Sequence, residues 1–143
     1  MEVSEKLSLL AAEKILKNID DIFDEKVKFI DQDHSKASYA KKISKNEGQI
    51  NWNESVLKII GKINGLYPSP GAFFSSSGER YKILKAEIGN GQGKPGEVLT
   101  DYLEIACGDR KSIKILQIQR QGKKIQNISE FVLGTQIKKG SFL

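Results

Sequence analysis

The sequence has few of the residues on which metal sites, disulfides and nucleophilic active sites depend. Cys107 is the one cysteine among the 143 residues, which excludes an internal disulfide and a zinc site built from cysteines alone. His34 is the one histidine, and it has no cysteine or histidine partner at metal-ligand spacing. No acid, base and nucleophile can therefore be assembled into a catalytic centre from these residues.

Long apolar runs are also missing. No stretch approaches the roughly 18 apolar residues that a membrane span requires. The first ten residues, MEVSEKLSLL, contain acids and lack the apolar core of a signal peptide. We therefore expect a cytosolic chain without membrane contact and without a structural metal.

Charge is distributed unevenly along the chain. Residues 1–36 hold six Lys/Arg and nine Asp/Glu, a net charge of −3, whereas residues 37–143 hold seventeen and nine, a net charge of +8. Such a cation surplus favours polyanionic partners, mainly nucleic acid or anionic lipid. It is equally compatible with lysines that only keep the domain in solution, so charge by itself leaves both readings open.

Apolar periodicity predicts two helices separated by a polar linker. In Val3–Phe23 apolar residues return at three- and four-residue intervals, and the stripe is so wide that it must cover another surface or stay partly exposed. Residues 24–38 indicate a linker around a short extended piece, Val27–Ile30. A second helix is predicted over Glu54–Leu66, with Asn53 as its N-cap.

After Gly71 the pattern changes to short strands separated by turn residues. Five strands at this spacing fit a small barrel, because closure removes exposed edges. A late helix over Asn127–Leu133 and a basic tail follow. The loop Gly89–Gly96 lacks the spacing of a phosphate-binding loop, so it is interpreted as a hairpin loop. The predicted strands are Ala72–Ser75, Arg80–Ile88, Glu97–Thr100, Tyr102–Ala106 and Ser112–Gln119.

A series of segments resembles one enzyme family, in the same order and spacing. From residue 38 the chain is similar to the region of methionyl-tRNA formyltransferases that joins and follows their catalytic domain. Residues 5–16 (EKLSLLAAEKIL) resemble the last helix of that domain. The similar segments are SYAKKISKNEGQINW (38–52), SVLKIIGKINGLYPSPGAFF (55–74), YKILKAEI (81–88), PGEVL (95–99), LEIACGD (103–109) and IKILQIQRQGKKIQNISEFVLG (113–134).

The resemblance implies a mainly β architecture with flanking helices. An OB-like C-terminal barrel would occupy residues 53–143, a linker residues 24–52, and a helix of the catalytic domain residues 1–23. The family's catalytic Asn, His and Asp and its formyl-donor site lie in an N-terminal Rossmann-like domain, which the resemblance implies is absent from this chain. We therefore expect no catalytic or metal-binding residue here, no bound cofactor, and no activity of the chain alone.

The resemblance also implies the partners. The full enzyme transfers a formyl group from 10-formyltetrahydrofolate to the amino group of methionyl initiator tRNA in translation initiation. The expected partners of this chain are that tRNA and the N-terminal catalytic domain. The chain itself is expected to be a cytoplasmic monomer that helps to position the tRNA.

Binding of tRNA would depend on lysines and arginines that contact its phosphates. Two of the candidates, Lys82 and Lys85, can share one face of a strand only across a β-bulge. The five residues expected to pack the linker and the following turn are Trp52, Pro68, Pro70, Gly71 and Phe73. The candidate phosphate contacts are Lys41, Lys42, Lys45, Lys82, Lys85, Arg110, Lys111, Arg120, Lys123, Lys124, Lys138 and Lys139.

Two other interpretations of the same residues stay open. The region could be a structural buttress in a sister formyltransferase that acts on a nucleotide sugar or on formyltetrahydrofolate. It could also be the product of a truncated gene without a function of its own. Clustered cations favour the tRNA interpretation, and evenly scattered cations favour the buttress.

Overall fold

The computed structural model describes residues 2–135 and 137–143. Met1, in the predicted segment 1–23, and Gln136, in the predicted tail, lie outside the described residues. The chain divides into two compact units, Met1–Ala40 and Lys41–Leu143. Among the described helices, none is long and apolar enough to cross a membrane.

The first unit consists of one long helix and an irregular segment. Helix α1 spans Glu2–Phe23, which agrees with the helix predicted from the apolar periodicity. Its large apolar side chains are exposed, Leu7 to 59%. Within the described residues no helix or strand is assigned over Val27–Ile30, so the predicted extended piece belongs to an irregular linker. A single 3₁₀ turn, His34–Lys36, follows.

The second unit is built on an antiparallel five-stranded sheet. Its strands are β1 (Ala72–Ser76), β2 (Glu79–Gly89), β3 (Glu104–Ala106), β4 (Ser112–Arg120) and β5 (Ile125–Asn127). They follow the order β1-β2-β4-β3, and β5 pairs with β4. The mainly β class with flanking helices is thereby confirmed, although β5 was not among the predicted strands.

The two longest strands, β2 and β4, each contain a β-bulge, and the two bulges lie at the same level of the sheet. The pairs on either side of the bulges are Ile83–Ile118, Lys85–Gln117 and Ala86–Ile115. Leu84 and Leu116 are therefore extra residues, one in each strand. A bulge shifts the alternation of faces by one residue and bends the strand. Both strands thus turn together. Strand β4 keeps Ile113, Ile115 and Ile118 in the core, and β2 keeps Ile83 there with Ala86 packed against it, whereas Ile88 is exposed.

The bulge in β2 also settles how Lys82 and Lys85 are placed. Lys82 lies opposite Gln119 and Lys85 lies opposite Gln117. Since the two glutamines are two residues apart on one strand, they share a face, and so do the lysines opposite them. Both lysines therefore project from the face of the sheet that does not form the core.

Isolated backbone pairs extend both edges of the regular sheet. Gln49 pairs with Phe73 beside β1, and Val98 pairs with Ile105 beside β3. The predicted strand Glu97–Thr100 is wrong as a regular strand, because the turn closed by the Leu103 N–H and the Thr100 carbonyl (3.1 Å) leaves it two residues to pair. The sheet is open, and the expected barrel is present only in the loose sense that single pairs cover its edges.

Helix α2, Val56–Gly65, begins two residues later than predicted. Its N-cap is Ser55, whose Oγ accepts a hydrogen bond from the N–H of Lys58 (3.4 Å). The prediction of Asn53 as the cap is wrong, because Asn53 belongs to a preceding turn in which its N–H donates to Asn51 Oδ1 (3.1 Å).

One hydrophobic core holds the second unit together. Val56, Ile59 and Ile63 form the apolar stripe of α2, and they pack in one cluster with the inward isoleucines of the sheet. Helix α3, Ile128–Phe131, is shorter than the predicted late helix and closes the cluster with the buried ring of Phe131.

Candidate nucleic-acid interface

The start of β2 and the end of β4 bring cations to one corner of the sheet. Arg80 and Lys82 are two residues apart on β2 and therefore share a face. Arg120 is the last residue of β4 and lies opposite Tyr81. Paired residues share a face, so Arg120 projects on the side of Tyr81 and not on that of Arg80 and Lys82. The three cations come near one another only at the end of the sheet, where β2 begins and β4 ends.

The linker before α2 adds lysines to the same corner, because it is docked against the sheet. A 3₁₀ turn, Lys45–Gly48, is closed by the Ser44 N–H, which donates to Glu47 Oε1 (2.6 Å) and thereby helps to hold the pKa of that carboxyl below its usual range. The Ile50 N–H donates to the carbonyl of Phe73 (2.8 Å).

Helix α2 fixes the same segment from the other side. Lys62 Nζ donates to the carbonyl of Gln49 (3.0 Å) and lies 3.6 Å from a carboxylate oxygen of Glu54. Gly48 is buried, and a Cβ there would lie closer than 3.0 Å to the carbonyl oxygen of Gly71. Since the backbones approach this closely, the fold fixes the 3₁₀ turn that carries Lys45; Lys42 precedes this turn in an exposed segment.

These segments enclose a groove of about 730 Å³, which we call the cationic groove. Its lining includes five cations and no acidic residue, with uncharged residues between them. The cations are Lys42, Lys45, Arg80, Lys82 and Arg120; the other lining residues are Ile43, Ser69, Pro70, Gln119, Gln121 and Gly122. Five positive charges in one concave surface raise the local potential for anions.

Each cation on the sheet is held by a different contact. The guanidinium of Arg80 lies over the ring of Phe73, 3.5 Å from its centroid. The stem of Lys82 packs on Gly71, where a Cβ would be 2.5 Å from Lys82 Cδ. Arg120 forms an ion pair with Glu79, and this hydrogen bond holds the pKa of the Glu79 carboxyl below its usual value.

Lys42, Lys45 and Lys82 differ from Arg120 in that they make no ion pair with any of the residues that the structure describes. Lys42 and Lys45 are also exposed. Their ammonium groups are therefore available to an external anion without the loss of an internal partner.

The structure brings only some of the predicted cations to this groove. Lys123 and Lys124 line a second groove, and the remaining candidates line neither. Those remaining candidates are Lys41, Lys85, Arg110, Lys111, Lys138 and Lys139. Arg80 was missing from the prediction, although its position two residues before Lys82 in a predicted strand was a sufficient signal.

The residues expected to pack the linker and turn differ in burial. Trp52 is 6% exposed and lies 6.0 Å from Phe74 between ring centroids. Phe73 and Gly71 are buried, Pro70 lies at the edge of the cationic groove, and Pro68 is exposed.

Cys107 and His34 take no part in the groove. Burial raises the pKa of the Cys107 thiol to about 11, which keeps it protonated and unreactive at neutral pH. His34 is exposed in the first unit. Among the described residues, no group of three or more His, Cys, Asp and Glu is placed to hold a metal ion.

Comparisons with known proteins identify the relatives of this chain. Residues 42–136 match the formyl transferase C-terminal domain. A methionyl-tRNA formyltransferase of Pelagibacter ubique is 63% identical over 139 residues, which cover 97% of this chain and 45% of that protein. One of Rickettsia massiliae is 43% identical over 147 residues, which cover 99% of this chain and 47% of that protein. The chain thus spans about half the length of these relatives.

Solved structures of the same fold come from HypX of Aquifex aeolicus. A variant of that protein superposes with a TM-score of 0.68 at 21% identity, over 90% of this chain and 25% of HypX. The complex of HypX with tetrahydrofolic acid gives a TM-score of 0.65 at the same identity, over 90% of this chain and 24% of HypX. At this identity the likeness concerns the fold alone. The domain match covers about two thirds of the chain, and this chain therefore belongs to the formyl transferase C-terminal domain family.

Proposed function

We propose that this chain is the tRNA-positioning part of a methionyl-tRNA formyltransferase. In this role the cationic groove binds the phosphate backbone of initiator methionyl-tRNA. The observation that carries the proposal is the convergence of five cations, from the linker and two strands, in a groove lined by no acidic residue. The names of the relatives, which are methionyl-tRNA formyltransferases, support the same substrate.

The proposed division of labour leaves the chemistry to another domain. Formyl transfer from 10-formyltetrahydrofolate to the methionyl amino group would take place in an N-terminal catalytic domain, in the half of the relatives that this chain does not match. The exposed apolar residues of α1 would pack on that domain. The whole enzyme would act in the cytoplasm, where initiator tRNA is charged.

Phosphate binding by lysines requires no base contact and therefore gives affinity without sequence discrimination. The three lysines without an internal ion pair, Lys42, Lys45 and Lys82, would each replace a counterion on the RNA. Release of counterions makes the binding constant fall as salt is added. A plot of its logarithm against the logarithm of the salt concentration has a slope, here called the salt slope, of about −0.9 for each neutralised phosphate of a duplex.

A salt-dependent titration tests the proposal. We would measure the affinity of the 143-residue chain for initiator tRNA by fluorescence anisotropy across a series of salt concentrations. The double variant Lys42→Ala/Lys45→Ala should bind more weakly and lower the logarithmic salt slope by about two. Its matched control is Lys58→Ala/Lys94→Ala, which removes the same charge from exposed lysines outside both grooves.

Three results would contradict the proposal. They are an absence of tRNA binding by the wild-type chain at low salt, equal losses in the two double variants, and a salt slope that the groove variant does not change. Equal losses would mean that net charge, and not the groove, determines binding, as expected for a structural buttress. Formyl transfer by the purified chain alone would contradict the assignment of the chemistry to another domain.

A further inference from the structure

A second and larger groove lies on the other side of Arg120. It encloses about 1110 Å³, and Arg120 lines both it and the cationic groove. Its walls are the β1–β2 hairpin, the β4–β5 turn, and the segment after α3. Pockets for small ligands run from about 300 to 1000 Å³, so this groove has room for more than one nucleotide unit.

The acidic groups of this groove are already engaged within the protein. Glu79 accepts hydrogen bonds from Arg120 and from the Tyr81 hydroxyl (2.9 Å). Glu130 accepts from the N–H of Asn127 (3.3 Å). Glu79 is neutralised by Arg120, whereas Glu130 keeps its charge; with three cations and two carboxylates the lining has a net charge of +1.

Two lysines and three serines of the groove, in contrast, are unengaged. Lys123 and Lys124 are exposed and make no ion pair with another described residue, although Lys123 contributes to the lowered pKa of Glu79. The hydroxyls of Ser75, Ser76 and Ser77 make no hydrogen bond within the described part of the chain. Lysine and serine donors together are the usual partners of phosphate oxygens.

An aromatic ring completes the groove. Phe142 is 59% exposed, yet its backbone is fixed by an antiparallel pair with Glu97. An exposed phenylalanine on a fixed backbone offers a flat surface on which an unpaired base can stack. Bases within a duplex cannot use such a surface, because they are stacked on each other.

We propose that this second groove binds a short unpaired stretch of RNA that continues past Arg120 from the duplex in the cationic groove. Its phosphates contact Lys123, Lys124 and the hairpin serines, and one base stacks on Phe142. The inference rests on the proposed function, since it extends the path of the same RNA.

The test compares two RNA probes with the full chain by fluorescence anisotropy. One probe is a blunt RNA hairpin, and the other is the same hairpin with a short unpaired extension, prepared at either end. In the wild type the extension should lower Kd by roughly tenfold, the effect of one stacked base and its phosphate. Phe142→Ala and Lys123→Ala/Lys124→Ala should lose this gain and keep the affinity for the blunt hairpin.

Controls separate the groove from general effects. Phe142→Tyr keeps a stacking ring and should keep the gain. Tyr102→Ala removes an aromatic side chain that is 63% exposed outside both grooves and should change nothing. The midpoint of urea unfolding, measured by the fluorescence of Trp52, shows whether Phe142→Ala remains folded. If it does not, the affinity gain of the Lys123→Ala/Lys124→Ala variant decides the test.

The outcomes distinguish the two proposals. Binding of the blunt hairpin without any gain from either extension overturns the second groove and leaves the proposed function intact. A gain that is lost equally in Tyr102→Ala, or kept in the Lys123→Ala/Lys124→Ala variant, also overturns it. Failure of the wild type to bind any probe at low salt overturns the proposed function itself.

Discussion

Replacement of Gly48 by alanine tests whether the linker is fixed to the sheet as the structure indicates. A Cβ at this position would lie inside van der Waals contact of the Gly71 carbonyl oxygen and 3.2 Å from Phe73 Cδ1. The oxygen belongs to the backbone and cannot rotate away, and the Gly71 N–H is itself bonded to the carbonyl of Leu66 (2.9 Å). The linker must therefore move.

The expected loss of folding stability follows from the added methyl group. Forcing an extra carbon into a packed site costs about 1–3 kcal/mol. Two hydrogen bonds lie directly beyond the substitution, one from the Ile50 N–H to Phe73 and one from Lys62 to Gln49. If the linker shifts enough to break them, Lys42 and Lys45 leave the groove, and the salt slope of tRNA binding falls by about two.

The assay is urea unfolding of the whole chain, followed by tryptophan fluorescence. Trp52 is the single tryptophan, is 6% exposed and belongs to the same unit as Gly48. The matched control is Gly61→Ala, in the middle of α2, where a Cβ would meet nothing within 4 Å. An alanine in an exposed helix interior stabilises by about 1 kcal/mol relative to glycine, so the two substitutions should have opposite signs.

A Gly48→Ala variant as stable as the wild type would refute the reasoning. So would a loss of stability that leaves tRNA affinity and its salt slope unchanged, because the linker lysines would then not depend on this docking. A changed urea m-value would instead report a change in the surface exposed on unfolding, and the stability comparison would be repeated by thermal unfolding.

Three further predictions concern single side chains. Partial burial acts to raise the pKa of Glu104, but hydrogen bonds from Ser112 Oγ (2.6 Å) and a backbone N–H outweigh it and lower the pKa. This stabilisation is present above the unfolded carboxyl pKa of about 4.3 and is lost as the pH falls through the lower folded pKa. Glu104→Gln should therefore lower the free energy of unfolding at pH 7 by about 1–3 kcal/mol, and the difference from the wild type should become smaller in acid. A difference that does not change with pH contradicts this. Cys107, whose pKa is raised to about 11, should resist alkylation at pH 8 until urea unfolds the chain, and rapid labelling of the folded protein would show otherwise. Glu79→Gln frees Arg120 from its ion pair and should tighten tRNA binding and steepen its salt slope by about one; unchanged affinity would exclude Arg120 from the RNA path.

The regular elements could be predicted where several residues repeat one pattern. The periodicity of α1, of α2 and of the long strands β2 and β4 is strong, and the structure contains all four. Short elements could not be predicted in the same way. Strand β5, Ile125–Asn127, has three residues and exists because β4 offers it a partner, which no local pattern shows. The segment beginning at Glu97 has strand-forming residues but is cut short by a turn.

The capping of α2 shows why boundaries are harder still. Asn53 and Ser55 are both good N-cap residues, and sequence alone does not choose between them. The choice is made at a distance, because the backbone of Asn53 lies against Gly108 of the β3–β4 turn, where a Cβ would overlap it. This contact and the hydrogen bond from the Gly108 N–H to the Glu54 carbonyl (3.0 Å) keep Asn53 outside the helix.

The sequence indicated what type of site to expect but not which residues line it. The surplus of cations after residue 36 favoured a polyanionic partner, and the list of candidate cations contained three lysines and one arginine of the five groove cations. Which lysines meet depends on the docking of the linker at Gly48 and on the register of β2 against β4. Neither can be obtained from charge, so Lys41 and Lys42, which are neighbours in the chain, differ in whether they line the groove.

The paired bulges at Leu84 and Leu116 have a consequence for the motions of the sheet. Hydrogen bonds in a ladder are least regular at a bulge, and here both partner strands are irregular at one level. The longest ladder therefore has a weak point at its middle. Amide hydrogen exchange should show faster exchange at residues 84 and 116 than at positions two or three residues away on either side, which would make the sheet two half-sheets joined by a hinge.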